Sequence, residues 1–328
     1  MSIESLNLSS KQEEKSSFDE QFAKREQIKV AGGTAEVVDV RPEKLKDEIP
    51  VFFAPSWSCA TNIYKNAIGT LSEQGRRVIS LDHPRFGGDM KEILSEIPKE
   101  DFEDYPYEEL RKAFNILDVL GAKNINQTDA ITHSEGAINL VIAAALYPEK
   151  FRNIVLYAPA GLIGEDTFGR LMKGFSQQDA NKLDLDTLPV PEGLSEEEAE
   201  QYKISRKEAQ KKVEGLISGF IKYLKNPIRS LNEAKDISKS QIHDLLRFLH
   251  EEKGIKIAVM AGTEDPVFPM DRIQETVKED MLDGFLSLRG GHGEIGDNPE
   301  LYMTAAADLL VKLKNKGEKE QAEISAEI

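Results

Sequence analysis

Cysteine is nearly absent: the 328 residues contain one, Cys59, so no internal disulfide can form. Tryptophan is as scarce, with Trp57 the single copy. A lone buried-type thiol is most often a small packing residue, and that is the reading for Cys59. Positive charge is in deficit, 42 Lys and Arg against 58 Asp and Glu, for a net charge of −16. A strongly acidic chain is a poor match for nucleic-acid phosphates and for an anionic membrane surface; the charge serves solubility. No apolar run reaches the length of a membrane span. The first residues, MSIESLNLSSKQEEK, lack the basic start and apolar stretch of a signal peptide. The expected setting is cytoplasmic. None of the His, Asp and Glu residues falls at zinc-ligand spacing, so neither a metal nor a cofactor is expected.

Length and apolar content allow one large α/β domain, or one with a sizeable insertion. Residues 1–24 and 317–328 are polar and charged and read as tails, disordered or loosely helical. Between them strand and helix signals alternate. IKVAGGTAEVVDV reads as two strands joined at Gly32–Gly33. VFFA at 51–54 is a short buried strand, NIYKNAIGTLSEQG a helix closing at Gly75, and RRVISLD a strand ending at Asp82. YEELRKAFNILDVLG is an amphipathic helix closing at Gly121. The apolar helix GAINLVIAAALY, stopped by Pro148, should be buried on most faces. Strand RNIVLY follows. From 162 to 252 no strand is evident. A proline-rich loop, a Ser195–Glu198 capping box and an apolar stripe over Val213, Leu216, Ile217, Phe220, Ile221 and Leu224 make this a helical insertion. Alternation resumes with IKIAVMAG, DRIQETVKED, FLSL and a last helix capped by Asn298 and closed at Gly317. The expected fold class is α/β: a mostly parallel central sheet flanked by helices. The core is 25–161 with 253–316, and the insertion is 162–252.

In such sheets ligands bind beyond the carboxyl ends of the strands. Three of those ends carry a nucleophile, an acid and a base, in the order Ser134, Asp265, His292. A serine hydroxyl needs a neighbouring base to become nucleophilic. Neutral histidine suits that task, and a carboxylate fixes its tautomer. Ser134 could instead be a helix N-cap, which is the usual role of a lone serine before a helix; the two partners downstream favour the nucleophile. Asp265 is the expected acid, with Glu264 the alternative. His133 reads as structural with its ring turned away, and His83, His243 and His250 read as structural too. Asp82 orders the loop after its strand.

ITHSEGAINLVIAAALYPEKFRNIVLYAPAG, AGTEDPVFP, GGHGEIGDNPE and LDHPRFGGD together resemble the α/β-hydrolase fold superfamily, in a form with a cap domain, over residues 26–315. The resemblance implies a sharp strand–turn–helix elbow at Ser134. It also implies an oxyanion hole of two backbone N–H groups, from Glu135 and from Trp57, with Pro55–Ser56 where the family has His-Gly. Thr132 stands two before the serine, where glycine is usual, and Arg85 where the family often has glycine. The implied activity is an esterase-like serine hydrolase acting on a small-molecule ester, its pocket lined by the cap. The same triad also fits C–C bond, amide, thioester or peracid chemistry, and the same fold fits a non-catalytic small-ligand receptor. The substrate and the oligomeric state are not legible in the sequence.

Overall fold

A computed structural model describes residues 17–84, 90, 94–95, 105–183, 195 and 227–327. Its centre is an eight-stranded sheet. The strands are β1 (Glu26–Val30), β2 (Gly33–Val40), β3 (Val51–Ala54), β4 (Val78–Asp82), β5 (Thr128–His133), β6 (Phe151–Tyr157), β7 (Lys256–Gly262) and β8 (Gly284–Leu288). Their spatial order is β1-β2-β4-β3-β5-β6-β7-β8. The β1–β2 and β2–β4 pairings are antiparallel and the other five parallel.

The central strands are buried over nearly their whole length because both faces are covered. Alternation survives in where each side chain goes. Phe52, Ile154 and Leu156 enter one core layer, while Phe53, Val155 and Tyr157 enter the other. The first layer includes α2 (Tyr107–Ala122) and α3 (Gly136–Leu146); the second includes α1 (Lys65–Glu73) and α9 (Pro299–Glu327). As its composition requires, α3 is buried over residues 136–144. Between β6 and β7 the described chain is helical, with α4 (Phe168–Leu183), α5 (Pro227–Lys239) and α6 (His243–Arg247); α7 (Met270–Thr276) follows β7 and α8 (Glu294–Asp297) follows β8. The apolar stripe at 213–224, Glu198 and Arg85 lie outside the described residues.

Several boundaries differ from expectation. The first hairpin turns at Ala31–Gly32, since Val30 pairs with Gly33. Helix α2 passes Gly121 and ends near Asn124, which takes the left-handed conformation (φ 55°). The last helix runs through Gly317 to Glu327. Its extension is fastened by Lys316 to Asp283 (2.7 Å) and by Glu320 to Lys256. Residues 17–23 form a helix rather than a loose tail, with Phe22 buried in the second layer.

At the end of the sheet away from the strand tips, Asp129 opens β5 fully buried. It accepts from Arg76 (2.6 Å), from Arg152 (2.6 and 2.9 Å) and from Asn153 (3.0 Å). Asp129→Ala leaves the buried Arg76 guanidinium without its carboxylate, while Arg152 keeps Asp47 (2.8 Å), and breaking a buried pair from one side costs about 3–5 kcal/mol. We expect a loss of that size in chemical denaturation; a loss below about 1 kcal/mol, the worth of a surface pair, contradicts the buried role.

Candidate active site

The stretch TDAITHSEG turns from strand to helix within two residues, Ser134 and Glu135. Ser134 sits at that corner in the left-handed region, φ 58°. A non-glycine residue held there is strained by about 1–3 kcal/mol. The corner is held from β6: the Ser134 N–H donates to the Tyr157 carbonyl (3.1 Å), and the Ala160 N–H donates to the Ser134 carbonyl (3.1 Å). Gly136 is required by proximity, since a Cβ there would lie 2.5 Å from the Ala54 carbonyl oxygen and 2.7 Å from that of Pro55. The elbow therefore rests directly on the backbone leaving β3. Thr132 fits in place of the usual glycine, fully buried, with no hydrogen-bond partner for its hydroxyl.

Ser134, His292 and Asp265 come together. His292 Nε2 lies 2.9 Å from Ser134 Oγ, and His292 Nδ1 lies 2.9 Å from Asp265 Oδ2. A carboxylate only accepts, so Nδ1 carries the proton and the Nε2 lone pair faces the serine hydroxyl. The other Asp265 oxygen accepts from the N–H groups of Val267 (2.7 Å) and Phe268 (3.0 Å). All three residues are buried. Glu264, the alternative acid, points outward and pairs with Arg289 (3.2 Å).

The histidine loop is held by groups that sequence reasoning did not single out. Tyr157 and Tyr302 donate to the carbonyls of Gly291 (3.0 Å) and Arg289 (2.8 Å). His133 does not turn away: its Nε2 is 2.9 Å from the His292 carbonyl and its Nδ1 is 2.8 Å from the Tyr64 hydroxyl. Because a carbonyl only accepts, Nε2 is the protonated nitrogen of His133, and Nδ1 accepts from Tyr64. Tyr64 Oη in turn accepts from the Ser56 N–H (3.1 Å). Burial first, and Cys59 second, push the Tyr64 phenol well above its usual range, so it stays a donor. One hydrogen-bonded chain thus joins the loop after β3 to the loop after β8. A tyrosine in an ordinary helical pattern gave no sequence signal for this role.

Aromatic rings surround the catalytic-type histidine. Phe268 is 5.2 Å from its ring centre and Phe175, on α4, is 5.9 Å away; Trp57 lies 5.9 Å from Phe175. Helix α4 comes this close because residue 174 is glycine: a Cβ there would lie 2.5 Å from the Pro266 carbonyl oxygen. Arg170 adds a hydrogen bond to the Val267 carbonyl (2.8 Å). Asp82 accepts from the Thr61 N–H (2.6 Å), in the segment after β3; residues 85–89 of the loop after its own strand, which it was expected to order, lie outside the described residues. His83 contacts Asn115 (3.2 Å), and His250 contacts the Asp280 carbonyl (3.1 Å). Among the described residues no group of His, Cys, Asp and Glu could hold a metal ion, and no helix is long and apolar enough to cross a membrane.

Beside the elbow lies a buried charged cluster. Lys112 pairs with Glu135, the residue after the serine, and stands 3.7 Å from Glu233 and 4.0 Å from Glu109. Burial first, and the neighbouring Glu135 charge second, push the Glu109 carboxyl well above its ordinary 4.5. Burial also raises Glu135, against the pull of Lys112. A carboxyl raised in the folded state binds its proton more tightly there than in the unfolded chain, so stability falls as pH climbs from 4.5 through the raised value. Glu109→Gln cannot lose that proton. We expect it to exceed the wild type in thermal stability near pH 8, with the gap closing by about pH 4; an equal gap at both pH values contradicts a raised carboxyl.

The α/β-hydrolase fold family model matches residues 50–287, and the chain belongs to that family. No curated protein matches it by sequence. Solved structures with the same fold include a thermophilic esterase from Thermogutta terrifontis, at 14% identity and TM-score 0.57, covering 88% of this chain and 99% of that one. The enol-lactonase from Burkholderia xenovorans LB400 is similar at 14% identity and TM-score 0.56, covering 87% of this chain and 100% of that one. A meta-cleavage product hydrolase from Pseudomonas fluorescens IP01 is similar at 18% identity and TM-score 0.54, covering 89% and 97%. At these identities the likeness concerns the fold.

Proposed function

We propose that the protein is a serine hydrolase that cleaves a small carboxylic ester through an acyl-enzyme. The observation that carries this is the unbroken chain from Ser134 Oγ to His292 to Asp265, 2.9 Å at each link. His292 takes the serine proton as Ser134 attacks the carbonyl carbon. It returns that proton to the leaving alcohol, then activates the water that releases the acid. Asp265 keeps the imidazole in the required tautomer and stabilises the imidazolium.

The developing oxyanion is assigned to the backbone N–H groups of Glu135 and Trp57. Two features support this. Gly136 lets the elbow touch the backbone at residues 54–55, which brings the two donor segments together. The Ser56 N–H is committed to Tyr64, which favours the next residue as donor. Trp57, Phe175 and Phe268 favour an apolar acyl or alcohol group. The 162–252 insertion, which supplies Phe175, acts as the cap, and the setting is cytoplasmic.

The experiment is a turnover panel of p-nitrophenyl esters of graded acyl length, set beside matched amides, thioesters and a vinylogous diketone. The expected result is ester turnover with a presteady-state burst, which is the mark of an acyl-enzyme. A preference for the diketone assigns the triad to C–C bond cleavage instead. No turnover by folded protein rejects the hydrolase reading.

A further inference from the structure

The two residues assigned as oxyanion donors also carry the two ends of one buried side-chain network. The Glu135 carboxylate pairs with Lys112. Lys112 faces Glu233 at 3.7 Å, and the second Glu233 oxygen accepts from the Trp57 indole N–H at 3.0 Å. Glu135, Lys112 and Glu233 are all nine-tenths buried or more. They come from three separate parts of the chain: the elbow, helix α2 and helix α5 in the insertion.

A buried network of this kind is not expected from stability alone, since replacing such groups by apolar ones is often neutral or favourable. What it does supply is a fixed spacing. An oxyanion hole works only when both donors are held where the charge will develop. The elbow is rigid, with its left-handed serine and its seat on the Ala54 carbonyl. Trp57 belongs to an irregular stretch, residues 55–60, with Ser58 at φ 66°. Its indole reaches the elbow through Glu233 and Lys112.

We propose that Glu233 and Lys112 are positioning residues, which hold the Trp57 segment and the Ser134 elbow at the spacing the oxyanion needs. The inference rests on the assignment of Trp57 and Glu135 as donors. It gives helix α5 a part in the chemistry beyond covering the pocket: the insertion completes the oxyanion hole by way of one carboxylate.

The test uses the chain's only tryptophan. Full-length wild type, Glu233→Gln, Glu233→Leu and Lys112→Met are compared by acrylamide quenching of Trp57 fluorescence and by the kinetics of inactivation with a fluorophosphonate. Glutamine keeps an oxygen acceptor for the indole and serves as the rescue; leucine removes it. Glu233→Leu is expected to expose Trp57 to quencher and to slow the maximal inactivation rate about ten- to a hundredfold, with the inhibitor's binding constant within about twofold. Glu233→Gln, whose N–H₂ would face the Lys112 ammonium in place of a carboxylate oxygen, is expected to keep Trp57 shielded from quencher and to inactivate at a rate between those of wild type and Glu233→Leu. Lys112→Met should behave as Glu233→Leu does where it folds; the Glu233 pair decides the matter without it. Leucine and wild-type rates that agree overturn the inference, as does a loss confined to melting temperature. A wild type that fluorophosphonate does not label rejects the hydrolase reading, and the positioning role falls with it. Labelling of wild type and the leucine variant at one rate rejects the positioning role alone.

Discussion

Ser134→Ala is expected to lower ester turnover by about 10⁶-fold, leaving the residual acceleration that binding and the oxyanion donors give on their own. The size follows from the loss of the covalent route: with no oxygen at residue 134, His292 has nothing to deprotonate and water must attack unaided. Folding should survive, because the elbow is fixed by backbone bonds to the Tyr157 carbonyl and from the Ala160 N–H, which the side chain does not make. Substrate affinity should be close to unchanged. Adding His292→Ala to the serine variant should cost little more, since the two act as one unit. A loss of less than about tenfold on the single change, in a folded protein, places the nucleophile elsewhere.

Asp265→Asn is expected to cost about 10⁴ in kcat. An amide at this position can present its N–H₂ to His292 Nδ1, which then accepts, and Nε2 carries the proton and faces Ser134 as a donor. The shape stays and the tautomer is wrong. The second carboxylate oxygen offers an internal control. It accepts from the Val267 and Phe268 N–H groups at 2.7 and 3.0 Å, bonds that an asparagine carbonyl oxygen can keep, so stability should change little. A variant that loses stability and activity together points to a loop-shaping role. One that keeps stability and loses turnover points to the histidine. Glu264 gives the matching negative: it directly precedes Asp265 in sequence but is bound to Arg289 at the surface, and Glu264→Gln should leave turnover within about twofold.

The parts of this fold that were legible in the sequence are those with short-range causes. Strands β3 and β7 are apolar runs bounded by polar or glycine-bearing ends, and their positions followed from that. Ser134, Asp265 and His292 could be picked out as candidates because each follows the carboxyl end of a strand, β5, β7 and β8 in that order. Gly75 was correctly read as a helix end; its φ is +82°. Gly121 and Gly317 were not, because a glycine ends a helix only where the backbone needs the left-handed region. In α2 Asn124 takes that conformation, and α9 continues because Lys316 and Glu320 find partners on Asp283 and Lys256.

Connections between distant segments were not legible. Tyr64 and His133 are 69 residues apart, and Trp57 and Glu233 are 176 apart. His133 read as structural because it precedes the serine on a strand, where alternation sends neighbours to opposite faces. Alternation says which face a side chain takes. It does not say that a second loop, carrying the His292 carbonyl, folds back to meet it. Glu233 gave no signal at all: a glutamate in a polar helix is ordinarily solvated, and only the packing of α5 against α2 buries it.

The central claim is that Ser134 is a nucleophile activated by His292. The most direct measurement is to treat folded protein with a fluorophosphonate and locate the adduct by peptide mass spectrometry. In that reaction Ser134 Oγ bonds to phosphorus, fluoride leaves, and His292 receives the serine proton. A single adduct is expected on the peptide bearing Ser134, absent from Ser134→Ala and much slowed in His292→Ala. An unmodified Ser134, or an adduct on another residue that persists in Ser134→Ala, contradicts that claim.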